Sequence, residues 1–439
     1  MEIHSWGRFP SIEADIDEPV DNSSLGQVLQ SHPPQNTLIA RGAGRSYGDS
    51  ALAGHIVSSR FLDNFLSFDE VTGEISCAAG VTLDQILRLC VPKGWFLPVL
   101  PGTKFVTVGG AIASDIHGKN HHVDGCFSAF VKSINLLLAS GENVKCSDSK
   151  RKTLFRASCG GMGLTGIILD ATLQLTRVDS AFIQQQTLMA ENLEEIFLLF
   201  EENQDSKYSV AWLDCMARGK NLGRSVLFLG EHANDDNRVL RDSFSVSAPK
   251  YSPGFLLNKY SMRAFNGSYF SLNKRSNKDK LLHYENYFFP LDRIHHWNRL
   301  YGSKGFLQYQ FVIPTDLAKE GITAVLTECI DKGKGSFLTV LKKMGDQNEN
   351  LLSFPLEGYT LTLDFKYEKS LLPILDTLDD IVLAHGGRHY LAKDARMGEA
   401  TFKQGYSNWE KFVKVRNQVD PNNLFGSLQS QRLGLAAVK

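Results

Sequence analysis

The chain has 439 residues, 43% hydrophobic and 22% charged, with 47 Lys+Arg against 48 Asp+Glu and a formal net charge of -1. That length predicts two or three domains around a large buried core, and the charge balance excludes the basic surface of a nucleic-acid binder. No run approaches the ~18 apolar residues of a transmembrane helix. The opening MEIHSWGRFP lacks the apolar core of a Sec signal peptide, and seven cysteines without a C-x-x-C pair read as reduced thiols of a cytoplasmic protein.

The first third alternates short strands with helices. Asn36–Ala40 reads as a strand stopped by Arg41-Gly-Ala-Gly44, and Glu74–Ala78 as another. Thr82 caps a helix with Gln85 as its capping-box partner. Leu83, Ile86, Leu87 and Cys90 form its apolar stripe, and Pro92 with Gly94 ends it. Trp95–Val99 is a third strand, followed by a glycine-rich segment from Pro101 to Gly118. Val131–Ala139 is a strand leading into a Ser140–Asn143 hairpin turn, and Ile167–Thr176 alternates as a strand. From about 180 to 387 the chain is richer in Phe, Tyr and Trp. A helix is expected at Asn192–Glu202, strands at Gly305–Ile313, Ser336–Leu341 and Tyr359–Phe365, and a helix at Ser370–His385 closed by Gly386-Gly387. A last helix spans Ser407–Gln418 before Asp420-Pro421. This change of character predicts a second domain inserted into the first.

Two familiar patterns lack their contexts. Gly161–Gly166 matches G-x-G-x-x-G, but a strand follows it where a dinucleotide fold needs a helix. Gly44-Arg-Ser-Tyr-Gly48 matches the nucleophile elbow of a serine hydrolase built on Ser46, but Gly54 breaks the helix that should follow. His117, His121 and His122 have no carboxylate at ligand spacing and are separated by poor helix formers, so no metal site is expected. The stronger signal is the pairing of two glycine segments. Arg41–Ser50 follows a strand and is able to turn successive N–H groups inward as an anion nest. About 50 residues later, Pro101–Asn120 carries Gly109-Gly110, where backbone comes close to a flat ligand.

This pair of segments resembles the FAD-binding domain of the vanillyl-alcohol oxidase / p-cresol methylhydroxylase (PCMH-type) superfamily. The strings TVGGAIASDIHGKNHH (Thr107–His122), FLQYQFVIP (Phe306–Pro314) and YLAKDAR (Tyr390–Arg396) are similar to those of the polyprenylphosphoryl-ribose 2′-oxidase family, over about Trp6 to Leu433. The resemblance implies an α+β fold. A two-part PCMH-type FAD-binding domain, residues 1–180 and 388–439, would carry an inserted substrate domain, 181–387, built on an antiparallel sheet flanked by helices. It implies that the loop Ala40, Arg41, Gly42, Ala43, Gly44, Arg45, Ser46, Tyr47, Gly48, Asp49 and Ser50 holds the pyrophosphate. Gly102, Thr107, Val108, Gly109, Gly110, Ser114, Asp115, Ile116 and His117 would line the flavin, closed by Ile167, Ile168 and Tyr390. Many superfamily members attach FAD through a histidine in a G-H-S loop. Arg45 stands there and cannot form that bond, which implies a non-covalent FAD.

Gln308 and Gln310 lie two apart on a predicted strand and share a face, with Tyr309 on the other. The resemblance turns them toward sugar hydroxyls, with Lys342 and Thr362 beside them, Tyr47 and Trp212 as walls, and Lys119 near His117. Lys393 is the expected proton acceptor, with His117 and Gln310 as further catalytic groups. The family's cysteine is Thr362 here, Thr360 replaces an amide, and Phe288 replaces a tyrosine, so the flavin apparatus matches more closely than the substrate pocket. The implied reaction oxidises the 2′-hydroxyl of a polyprenylphosphoryl-β-D-ribose to the keto form. A short-chain dehydrogenase/reductase would complete epimerisation to the arabinose of a cell-envelope polysaccharide, and quinone or oxygen would reoxidise the flavin. A soluble alditol or aldonolactone oxidase is the alternative within the superfamily; a serine hydrolase or a non-catalytic flavin-fold protein are the alternatives outside it. Such a lipid-linked substrate implies peripheral contact with the inner membrane, on either face. Tyr251–Lys280, with Lys259, Arg263, Lys274, Arg275, Lys278 and Lys280, is the expected docking segment.

Overall fold

The computed structural model describes residues 1–33, 35–241, 245–249, 258–276 and 279–436. Residues 251–257 and 277–278 of the expected docking segment lie outside that set. The fold mixes helices with sheets in the first and last parts of the chain and with one large antiparallel sheet in the middle.

Near the N-terminus, strands Asp15–Asp17, His55–Ser58 and Leu38–Arg41 form a parallel three-stranded sheet. A five-stranded antiparallel sheet follows, in the order Asn143–Cys146, Val131–Leu137, Ile167–Gln174, Glu74–Ala78, Phe65–Asp69. Helix Leu83–Cys90 packs beneath it. Its capping box is formed as expected: Thr82 accepts from the Gln85 N–H and Gln85 accepts from the Thr82 N–H. Its buried residues are the four of the apolar stripe. The seven cysteines are free and buried.

The largest sheet has eight strands among the described residues. Their order is Asp279–His283, Phe182–Ala190, Ser225–His232, Tyr208–Leu213, Val340–Met344, Gly358–Lys366, Phe306–Pro314 and Arg388–His389, and every pairing is antiparallel. Helices Leu193–Glu202, Thr315–Asp331 and Leu372–Ala384 cover one face. They bury a core with Leu307, Phe311, Leu341, Leu361 and Leu363 in the strands and Ile196, Val325, Leu326, Leu375 and Leu378 in the helices. The other face looks toward the glycine loops.

Three strand expectations differ from the structure, each because of where the backbone donors go. The strand begun at Trp95 stops at Phe96, just before Pro98, which has no N–H to give. Ile167–Thr176 is interrupted at Leu175, whose N–H turns to the Gly73 carbonyl. The Ser336–Leu341 strand starts only at Val340. Before it, the Ser336 N–H bonds the Cys215 sulfur and the Leu338 N–H bonds the Ser336 hydroxyl, so neither joins a ladder.

Candidate active site

A cavity of about 340 Å³ lies between the glycine loops and the open face of the eight-stranded sheet, within the range of ligand pockets. The loop after strand Leu38–Arg41 forms its floor. The Arg41 guanidinium holds that loop closed by donating to the Ala51 and His4 carbonyls, and burial lowers its pKa to about 10. The two glycine segments touch: a Cβ on Gly42 would fall 2.1 Å from Thr107 Oγ1. Thr107 in turn caps the short helix Val108–Ala113 by accepting from the Gly110 N–H. A Cβ on Gly102 would meet nothing within 4 Å, so that backbone opens to a ligand. The residues after Ala392 clasp the loop from the other side. Tyr47 N–H donates to the Ala392 carbonyl, and a Cβ on Gly48 would fall 1.6 Å from the Asp394 oxygen.

Of the residues expected from sequence, Ala40 through Tyr47, Ser50, Gly102, Thr107, Gly109, Gly110, Ser114, Ile116, His117, Ile167, Ile168, Gln308, Gln310, Lys342, Thr362, Tyr390 and Lys393 line this cavity. Six others lie off its wall. Gly48 packs under Asp394, and Asp49 is ion-paired with Arg432 at 2.7 Å. Val108 is fully buried in the core. Asp115 is turned away to accept from Asn348, Asn350 and Ser353, each at 2.7 Å. Lys119 donates to the Tyr287 carbonyl and lies over the Tyr287 ring. Trp212 shares the register row of Val340 and Thr362, but its indole N–H donates to Phe337 and its ring packs on Tyr269 of helix Lys259–Arg275. The three histidines face different partners: Gln310 for His117, the Gly345 N–H for His121 and the Ser206 carbonyl for His122. Among the described residues no group of three or more metal-ligating side chains converges.

Other cavity residues gave little or no sequence signal. Trp6 and Trp297 pack edge to face at one end, and the Arg45 guanidinium lies 4.3 Å from the Trp6 ring centre. Asp292 lines the same end. Met162, Gly163 and Gly166 also line the cavity, so the segment that fails as a dinucleotide motif still borders the ligand space. Asp364 was legible, two residues from Thr362 and therefore on its face.

The sheet sets a polar row in register: Gln308 opposite Asp364, Gln310 opposite Thr362, and Lys342 opposite Thr360. Gln308 donates to Asp364 at 2.6 Å. Burial raises the Asp364 carboxyl to about 7, against the opposing effects of the Gln308 hydrogen bond and nearby Lys393. Burial lowers the Lys393 amine to about 7, although Asp364 favours its charge. Each steadies the other's ion, and for both the loss of water outweighs it. The Lys393 amine lies 3.8 Å from the centre of the Tyr47 ring, and among the described residues no carboxylate lies within ion-pair distance of it. Lys342 falls to about 8 by burial. His117 is held well below the ordinary imidazole value by burial and then by Lys342. An amine that is partly neutral at neutral pH, on a ligand cavity, is equipped to take a proton.

The FAD binding domain family matches residues 28–147 and the D-arabinono-1,4-lactone oxidase family residues 363–433. Over 99% of its length, and 97% of the relative's, the chain is 37% identical to decaprenylphosphoryl-beta-D-ribose oxidase of Mycolicibacterium smegmatis. The chain belongs to the decaprenylphosphoryl-ribose oxidase family. Like its relatives in that family it is an FAD-dependent oxidoreductase. A protein of Streptomyces coelicolor is 30% identical over 81% of this chain and 100% of its own. L-gulonolactone oxidase of Bos taurus is 28% identical over 41% of this chain and 40% of its own. FAD fits the residues present: the touching glycine loops, the open face of Gly102, and the buried His117 Nδ1, which has no hydrogen-bond partner among the described residues.

Proposed function

We propose that this enzyme oxidises a secondary hydroxyl of a lipid-linked sugar, the 2′-hydroxyl of a polyprenylphosphoryl-β-D-ribose, to the keto form. The observation that carries the reading is Lys393: a buried amine near neutrality on a wall shared by the flavin loop and the row Gln308, Gln310, Asp364. Bound FAD supplies the hydride acceptor that no side chain provides. Lys393 takes the hydroxyl proton, with Asp364 beside it to steady the ammonium that forms. Gln308 and Gln310 orient the sugar, and Lys342 and Thr362 border it. Arg45, packed on Trp6 where a covalent histidine would stand, leaves FAD non-covalent; acid precipitation should release the yellow colour, and colour kept in the pellet would refute this.

In this reading residues 1–180 with 388–439 form the flavin domain and 181–387 the substrate domain. A short-chain reductase consumes the keto product in the first steps toward the arabinose derivative, and quinone or oxygen reoxidises the flavin. Among the described residues no helix is long and apolar enough to cross a membrane. Helix Lys259–Arg275 presents exposed Tyr260, Phe265 and Leu272 along with Lys259, Arg263, Lys274 and Arg275, which suits peripheral contact with a lipid surface. The match of residues 363–433 to a lactone oxidase family favours a second reading, oxidation of free alditols or lactones. Anaerobic mixing separates the two. Bleaching of the flavin band by polyprenylphosphoryl ribose and not by alditols or lactones supports the first; the reverse pattern supports the second.

A further inference from the structure

Strands 306–314 and 358–366 bring Gln310 and Thr360 together on the cavity side. Gln310 Nε2 lies 3.2 Å from Thr360 Oγ1 and 3.1 Å from His117 Nε2, and Thr360 Oγ1 lies 2.8 Å from the Phe311 carbonyl oxygen. All three side chains are buried, Thr360 completely.

Counting hydrogens along this chain decides orientations that heavy-atom positions leave open. A carbonyl oxygen only accepts, so the Thr360 hydroxyl donates to Phe311. Its one proton is then used, and toward Gln310 it only accepts. The Gln310 amide must therefore present nitrogen to Thr360. The same nitrogen faces His117, so His117 Nε2 must offer a lone pair. A flip of the imidazole would set a C–H against the amide N–H and lose that bond. Buried beside Lys342, His117 is neutral and carries a single proton, which is left on Nδ1. That atom is buried and has no partner among the described residues, in a side chain that lines the cavity.

We propose that Thr360 is a positioning residue that acts through Gln310 to hold His117 as the Nδ1–H tautomer, and that this N–H donates to an acceptor atom of the molecule in the cavity, on the flavin or on the sugar. It follows that His117 is not the base. Its Nε2 lone pair is taken by Gln310 and its Nδ1 is already protonated, so the hydroxyl proton falls to Lys393. Gln310, with both amide hydrogens used, offers the cavity only its carbonyl oxygen, an acceptor for a sugar hydroxyl. The tautomer deepens the oxidase reading but is read on the resting FAD-loaded enzyme, so its failure is distinguishable from failure of the sugar assignment.

The test is long-range 1H–15N correlation of the FAD-loaded enzyme labelled at histidine nitrogens, with His117 assigned by the signal missing in His117→Gln. The expected pattern is protonated-type nitrogen at Nδ1 and unprotonated-type at Nε2. A His117 that carries its proton on Nε2, or on both nitrogens, would overturn the proposal whatever the variants do. Thr360→Val removes the acceptor, lets the amide turn, and should move the proton to Nε2. It should also lower kcat about tenfold, the scale of one lost buried hydrogen bond, while Thr360→Ser restores both. An unchanged tautomer in Thr360→Val would refute the role of Thr360. A slowly exchanging Nδ1 proton in the FAD-loaded enzyme alone assigns the acceptor to the flavin. Protection that arises only after adding a 2′-deoxy analogue of the lipid-linked ribose assigns it to the sugar. A proton that exchanges freely in both would remove the donor role.

Discussion

On the cavity face of strand 306–314 stand Gln308 and Gln310; on the opposite face, between them, stands Tyr309. Both faces bury charge. On the back, the Tyr309 hydroxyl donates to Asp379 at 3.0 Å, His389 lies 2.8 Å from the Tyr309 oxygen and 3.1 Å from Asp379, and Arg396 donates to the same carboxylate. Burial alone would raise the Asp379 carboxyl, but the His389 and Arg396 contacts hold it at about 2. On the front, the same loss of water acts on Lys393, Lys342 and Asp364 with few partners to oppose it, and all three move toward neutrality. Satisfied burial builds a scaffold; unsatisfied burial builds groups that exchange protons near pH 7. The segment Arg388–Arg396 belongs to both faces, since it carries Lys393 to the cavity and His389 and Arg396 to the rear.

The sharpest way to break this comparison is at Lys393. Lys393→Met keeps an unbranched side chain one atom shorter and removes the base. Flavin reduction by substrate should fall by roughly 10²–10⁴, with FAD retained and unfolding temperature equal or higher, because a buried amine with no carboxylate in ion-pair reach among the described residues has been removed. A rate within a few-fold of the parent would show that the front cluster is not the proton acceptor.

The rear cluster should answer in the opposite way. Asp379→Ala takes the buried carboxylate from His389 and leaves Arg396 only the exposed Asp376, 2.7 Å away, a loss approaching the ~3–5 kcal/mol of a broken buried pair. Denaturant unfolding should show that loss, while protein still folded and loaded keeps most of its rate. A large rate loss with unchanged stability would mean that the two faces are not divided as described.

A pH series sharpens the contrast further. In the flavin-free chain Lys342 is held at about 8, against about 10.4 when unfolded. Between those values the unfolded state binds the extra proton, so stability rises with pH; below about 8 both states are protonated and the full cost of the buried ammonium remains. Lys342→Met should therefore be more stable than the parent below pH 8, by up to about 3 kcal/mol. The advantage should shrink toward pH 10. An advantage independent of pH would point to packing rather than charge.

Much of this was legible in the residues. The capping box at Thr82, the alternation of Phe306–Pro314 and the two glycine segments each rest on local rules that the fold keeps. What stayed hidden depends on partners distant in sequence. Nothing beside Trp6 or Trp297 says that the two rings meet or that Arg45 packs on Trp6. Asp115 sits within a flavin-lining string, yet Asn348, Asn350 and Ser353 claim its carboxylate. Asp364 stood on the right face of its strand, but its value near 7 comes from burial that only the packed sheet provides. The rear cluster gave no signal, because Tyr309, Asp379, His389 and Arg396 come from three separate segments.

Tyr309 allows the finest test, because it lies one residue from each of the two glutamines. Tyr309→Phe deletes one hydroxyl from the rear and nothing from the cavity. His389 and Arg396 still bond Asp379 after the change, so no charge is stranded. The loss should be about 1–2 kcal/mol of stability, the scale of one buried hydrogen bond with its unsatisfied partner. The rate of flavin reduction should stay within about twofold of the parent, well under the 1.36 kcal/mol that a tenfold change represents. Gln310→Ala, one step along the same strand, deletes buried hydrogen bonds to His117 and Thr360 and so also costs some stability, but here the rate should fall more than tenfold because the sugar loses an acceptor and His117 loses the amide that sets its proton. If the two variants gave the same balance of stability and rate, strand pleating would not be what separates scaffold from chemistry here, and the assignment of Gln310 to the cavity face would carry no functional meaning.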